Sequence, residues 1–138
     1  MPRFPAQILA MLMSIAAAMP VFAGTTHIVN VGGTSPPAFS PQLITVAVGD
    51  TVTFVNQGGN HNVVADDGSF RCSRGCRGDG QGDTGAPSTA HWVVSLSFDV
   101  VGTVGYFCEI HGAPGAGMFG TITVRESTPV QLQSFDVE

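Results

Sequence analysis

Between Tyr106 and Gly120 the chain reads YFCEIHGAPGAGMFG, which sets a thiol at Cys108, an imidazole at His111 and a thioether at Met118 around a short Gly/Pro connection. Taken singly, each has a bland reading: free cysteine is among the most buried residue types, and methionine fills gaps in cores. Taken together, they are three soft or borderline donors on one segment. That chemistry selects a transition metal over calcium or magnesium, which prefer oxygen. Met118 is the one methionine after residue 23, because Met1, Met11, Met13 and Met19 all lie in the N-terminal segment.

The cysteine count sharpens this. Of three cysteines, Cys72 and Cys76 form a C-x3-C pair inside a Gly-rich stretch. In an oxidising compartment such a pair is expected to close a disulfide, in preference to a second soft-metal site for which no further ligands stand nearby. Cys108 is then left free. A thiolate, two imidazoles and a weak axial thioether are the ligand set of a mononuclear electron-transfer copper. The spacing suits it: Cys108-x2-His111 leads from a strand end into a turn, and His111-x6-Met118 returns through GAPGAG. The second histidine must come from elsewhere. His61 is best placed, since it follows the turn-forming NQGGN. His91 falls on the polar face of its strand, and His27 lies near the start of the domain, where chains fray.

The elements that must position these residues are short strand-like runs: THIVNV, QLITVAV, TVTFV, HNVVA, HWVVSLSF, TVGYFC and GTITV, broken by turn signals such as Gly49-Asp50. No convincing capped helical period occurs after the leader. Seven to eight short strands of this kind predict an all-β Greek-key β-sandwich. Period-two alternation assigns faces. Trp92, Val94, Leu96 and Phe98 share one side, Cys108 joins Val104 and Tyr106, and Met118 joins Ile122 and Val124. Cys108 and Met118 therefore both point inward. Residues 66–90, Gly- and Asp-rich with few large apolar side chains, read as a long excursion between strands.

The first residues, MPRFPAQILAMLMSIAAAMPVFA, have the layout of a secretory signal peptide: Arg3, an apolar run, then small residues before Gly24. The expected organisation is a signal peptide over 1–23 and a single domain over 24–138, with a C-terminal tail over 126–138. The protein would be exported, periplasmic or extracellular, and associated with a membrane only if the leader were retained. The chain has no lysine and a formal net charge of −5. That excludes the clustered positive charge of a nucleic-acid binder. RGD at 77–79 is too short a match to carry weight in so Gly/Arg/Asp-rich a loop. GDGQGD at 78–83 does not have calcium-loop spacing.

With these residues in view, GDTVTFVNQGGNHNVV and GYFCEIHGAPGAGMFGTITV together resemble the cupredoxins, the plastocyanin/azurin-like small blue copper proteins. The resemblance spans nearly all of the domain. It implies one type 1 copper ion with His61, Cys108 and His111 as strong ligands and Met118 as the weak axial one. It also implies that Asn62, next to the first histidine, helps hold the cysteine loop by hydrogen bonding, as residues around a metal's ligands commonly do. Two features depart from plastocyanins: Ile110 stands where proline often precedes the second histidine, and the connection from His111 to Met118 is longer. Neither removes a ligand, but both bear on the axial geometry.

The function this implies is single-electron shuttling between redox partners, a donor and an acceptor such as a cytochrome or an oxidase. His111, Gly112, Ala113 and Pro114 would form the transfer patch, with acidic residues including Glu109 and the 66–83 stretch steering a basic partner. Four histidines are too few for a multicopper oxidase, and no Ser–His–Asp or paired-carboxylate arrangement is recognisable, so no catalysis is expected. Two alternatives use the same residues: a copper carrier that delivers metal, and a metal-free β-sandwich binding module.

Overall fold

The computed structural model describes residues 23–128. The leader expected over 1–23 falls outside them except for Ala23, as does the tail beyond residue 128. Among the described residues there are nine strands and no helix: β1 (Thr26–Val31), β2 (Phe39–Ser40), β3 (Leu43–Ala47), β4 (Asp50–Asn56), β5 (Val63–Ala65), β6 (Arg71–Cys72), β7 (Val93–Phe98), β8 (Gly102–Ala113) and β9 (Ala116–Arg125). They form two sheets, ordered β2-β1-β4-β7 and β3-β9-β8-β5-β6. β1 runs parallel to β4 and β3 parallel to β9, while the other pairs are antiparallel.

This is the expected β-sandwich, and all seven strand-like runs form strands. The two short additions, β2 and β6, have two residues each. β6 lies inside the 66–90 excursion, which therefore does not run wholly outside the layers. Arg71 and Cys72 pair with Val64 and Val63 and extend the second sheet by an edge strand.

Alternation along the strands builds the core. On β4, Val52, Phe54 and Asn56 are buried while the residues between them are half-buried. On β9, Met118, Ile122 and Val124 face inward, and on β8 Tyr106 and Cys108 do. Phe39, Phe54 and Tyr106 meet edge to face between the sheets, with centroids 4.8 to 6.4 Å apart. That geometry suits the aromatic quadrupole. Burying each such side chain contributes about 1.5–3 kcal/mol. Burial also pushes ionisation of the Tyr106 phenol upward, so it stays neutral.

One pole is tied by a carboxylate. Asp50, at the start of β4, accepts the N–H of Thr25 at 2.7 Å and of Ala47 at 2.9 Å, and pairs with His27 Nε2 at 2.8 Å. His27 is thus anchored on β1, not frayed, and it stands far along the sandwich from the other three histidines. The opposite pole, where β1 and β4 end side by side at Val31 and Asn56, carries the candidate site.

Candidate metal centre

Strands β8 and β9 form a hairpin whose pairing is regular from Gly102–Val124 to Phe107–Phe119, then breaks, and resumes at Gly112–Gly117 and Ala113–Ala116. Within the break, Cys108, Glu109, Ile110 and His111 stand opposite the single residue Met118. Such a bulge bends its strand and re-aims side chains. Gly112 makes it possible, since a Cβ there would sit 2.6 Å from the Met118 carbonyl oxygen and 2.7 Å from its nitrogen. The result is that Cys108 and Met118 are buried, at 0% and 1% exposure, while His111 is exposed. The segment expected to be a short Gly/Pro connection between strands is the continuation of both strands, with Pro114 and Gly115 at its tip.

His61 arrives from the other direction. β4 ends at Asn56, and Gly58 and Gly59 turn the chain with φ of 129° and 91°. Asn56 organises this turn. Its amide donates to the carbonyls of Gly59 at 3.2 Å and Ala90 at 2.8 Å, and its oxygen accepts the Gly58 N–H at 3.2 Å. The His61 backbone then exchanges hydrogen bonds with Ser88, N–H to O at 3.2 Å and back at 3.0 Å. The Nε2 edge of the ring packs so closely on Gly32 and Gly59 that a Cβ on either would overlap it. Burial pushes the His61 imidazole below the ordinary histidine value, the nearby His111 adds to that, and the Gly58 carbonyl opposes it. The shift favours the neutral ring, the form that binds a metal.

The donors converge at this point. Cys108 Sγ lies 3.8 Å from His61 Nδ1 and 3.7 Å from His111 Nδ1, so both imidazoles turn the same nitrogen toward the sulfur. The two ring centroids are 4.8 Å apart and tilted by 53°. Thiolate and imidazole donors bound to one divalent ion at roughly 2.0–2.3 Å end up about 3.5–3.8 Å from each other. The observed separations match that spacing, and Met118 stands opposite Cys108 and His111 in the bulge. One thiol, two imidazoles and a thioether fit a copper ion in both donor type and arrangement.

Asn62, fully buried, joins the segments that follow His61 and Cys108. Its oxygen accepts the Glu109 N–H at 3.1 Å, and its amide donates to Glu109 Oε2 at 2.7 Å and to the Gly85 carbonyl at 3.0 Å. Glu109 also pairs with Arg71 at 2.8 Å. The Arg71 hydrogen bonds hold the Glu109 carboxyl below the usual carboxylate range, and Asn62 adds to this. Glu109, expected among the steering acidic residues, is thus exposed but paired with a cation. Cys72 and Cys76 form a disulfide with an S–S distance of 1.98 Å, and Cys108 is free and buried. His91 lies near the Asn56 carbonyl at 3.4 Å and does not join the group.

Around His111 the surface is made of Gly112, Ala113 and Pro114 at the hairpin tip. Pro36, Pro37 and Ala38 line a groove with His111, Gly117 and Met118. The sequence reading missed residues 36–38, Gly32, Asn56 and Arg71. Residues 36–38, Gly32 and Arg71 lie far from the motif in sequence, and a Pro-Pro or Gly-Gly pair marks a loop without saying which pole it reaches; Asn56 opens the NQGGN turn itself, but its side-chain partners at Gly59 and Ala90 are set only by the fold.

Residues 26–125 match the family model of copper binding proteins, the plastocyanin/azurin family. The chain is 42% identical over 89 residues to the plastocyanin of Scenedesmus fuscus, covering 63% of this chain and 86% of that one. It is 31% identical over 112 residues to the plastocyanin of Prochlorothrix hollandica, covering 80% and 81%. The solved oxidised plastocyanin from Dryopteris crassirhizoma superimposes with a TM-score of 0.50 at 26% identity, over 72% of this chain and all of that one. Three converging donors with Met118 opposite them at one pole of a sandwich, and a match from the first strand to the last, lead to one conclusion: the chain belongs to the plastocyanin/azurin family of copper-binding proteins.

Proposed function

We propose that the chain is an exported single-electron carrier in which His61, Cys108 and His111 would hold one copper ion as strong ligands and Met118 as a weak one. The ion, when bound, supplies a one-electron couple between Cu(I) and Cu(II), with thiolate favouring the first and imidazole accepting either. The observation that carries this reading is the approach of Cys108 Sγ to the Nδ1 atoms of both histidines.

The chain's own residues account for the rest. His61, Cys108 and Met118 are buried in the sandwich and keep water from the donors. The donors come from the β8–β9 hairpin and the β4–β5 crossover, both fixed by cross-strand pairing, which would limit their rearrangement on a change of redox state. His111 is the one exposed member and forms the port. Gly112, Ala113 and Pro114, with Pro36 and Pro37 beside them, make a small-residue surface on which a redox partner can press close to the imidazole edge. Transient redox contacts are typically small. The partners are a donor and an acceptor of the cytochrome or oxidase kind. The acidic residues of the 66–83 stretch, Asp66, Asp67, Asp79 and Asp83, together with Glu109, outnumber Arg71, Arg74 and Arg77 there and would steer a basic partner at long range. A buried donor set with one exposed edge suits a carrier better than a catalyst, which needs room for substrate.

Export to a periplasmic or extracellular space is supported by the leader layout and by the Cys72–Cys76 disulfide, which persists in oxidising compartments.

The test is a visible spectrum of the exported form with one equivalent of copper, taken oxidised and reduced. An intense thiolate band that bleaches on reduction and vanishes in Cys108→Ala is expected. A colourless oxidised complex would overturn the ligand assignment.

A further inference from the structure

Glu109 directly follows Cys108, and its carboxylate is held from two sides. From within, Asn62 donates to Oε2 while accepting the Glu109 N–H. From outside, Arg71 brings its whole guanidinium. Nε lies 3.2 and 3.1 Å from Oε1 and Oε2, Nη2 lies 2.8 Å from Oε2, and Nη1 donates to the Thr84 carbonyl. The two side chains are 20% and 35% exposed, so solvent screens the pair only in part. A multi-point Arg–carboxylate pair is geometrically more specific than a single contact.

Arg71 is itself fixed. It pairs with Val64 across β5 and β6, its carbonyl accepts the Arg77 N–H at 2.9 Å, and the next residue is the disulfide-bonded Cys72. The close approach of Gly85 to the Arg71 carbonyl leaves no room for a Cβ and packs the returning excursion against it. The 66–90 segment thus delivers one rigidly mounted cation to the residue beside the sulfur.

We propose that Arg71 is a positioning residue for the metal centre. Through Glu109 it locks the segment after Cys108 to the segment after His61, and it balances the carboxylate's charge next to the thiolate. This rests on the ligand reading above. Without Arg71, the Asn62–Glu109 link loses its outer brace, and an unbalanced negative charge stands near the ion. The first effect hastens metal loss. The second favours the more highly charged oxidised ion and lowers the midpoint potential.

The experiment compares copper-loaded wild type with Arg71→Gln, Arg71→Lys and Glu109→Gln. It reads the rate of copper loss to a chelator, the midpoint potential, and amide hydrogen exchange at Glu109 in the metal-free protein. Arg71→Gln is expected to lose copper about tenfold faster, in the range seen when groups supporting a metal's ligands are removed. Its potential falls and its Glu109 amide exchanges faster. Arg71→Lys restores the potential but not the retention, because an ammonium keeps the charge and cannot make the fork. Glu109→Gln also loses copper faster, but its potential rises. Should Arg71→Gln fail to fold, Glu109→Gln carries the test alone. Copper loss within about twofold of wild type, with unmoved potential and exchange in the variants, overturns the proposal while leaving the ligand reading intact. A wild type that takes up no copper overturns both.

Discussion

His61 Nδ1 lies 3.8 Å from Cys108 Sγ although 47 residues separate them, and Gly32 is what lets the imidazole sit there. Gly32 has φ of +71° and closes on the far edge of the ring. Gly32→Ala therefore meets two penalties, a left-handed backbone for an L-residue and overlap with the ring. The expected loss in the metal-free protein is about 1–3 kcal/mol, read by denaturant unfolding. Copper affinity should fall by roughly tenfold as His61 is displaced. Wild-type affinity in a folded Gly32→Ala protein would show that the ring is not seated by that glycine.

Asn62 makes three hydrogen bonds from a fully buried position. Truncation to alanine leaves the Glu109 N–H and the Gly85 carbonyl without their partner. Unsatisfied buried groups cost about 1–3 kcal/mol each way they are left, so Asn62→Ala should lower stability by that order. Its copper-loaded spectrum should shift as well, because the residue beside Cys108 is released. An unchanged melting temperature would mean that the link is dispensable.

Stability should fall with acid in two windows. His61 is depressed, chiefly by burial and then by His111, below its ordinary value of 6.5. The unfolded chain therefore takes up a proton more readily than the native one, and stability of the metal-free protein declines as pH drops below about 6.5. Asp50 is held below its ordinary 3.8, first by the Ala47 N–H and then by His27 and Thr25. Its contribution is present above that value and is lost as pH falls through the lower native one. Unfolding curves at successive pH values check both. His61→Gln should flatten the upper window, and Asp50→Asn should shrink the lower, to which the depressed Glu109 carboxyl also contributes.

The hairpin tip beside His111 is small and uncharged. Ala113→Glu places a carboxylate where a partner would press. Electron exchange with a redox protein should slow by about tenfold, consistent with a desolvated charge at a contact, while the thiolate band keeps its position. Exchange at the wild-type rate would move the port away from this tip.

Part of this protein is written locally in its sequence. The alternation in TVGYFC and MFGTITV puts Cys108 and Met118 on the inner face, because successive strand residues point to opposite sides whatever the partner strand is. Donor chemistry at Cys108, His111 and Met118 names a soft-metal site for the same reason: softness belongs to the atoms. The C-x3-C spacing likewise anticipates a disulfide that the structure contains. What local pattern does not carry is register between distant strands. That four residues, Cys108 to His111, oppose the single Met118 depends on where β8 and β9 lose and regain step. That His61 meets Cys108 depends on a crossover between sheets, an Asn56-braced turn and a glycine from the end of β1. Arg71 reaches Glu109 only because β6 adds itself to a sheet edge from inside a segment whose composition predicts a loop. Side-chain direction and ligand type follow from single residues and their neighbours; the meeting of donors follows from loop closure and sheet pairing, which only the folded chain decides.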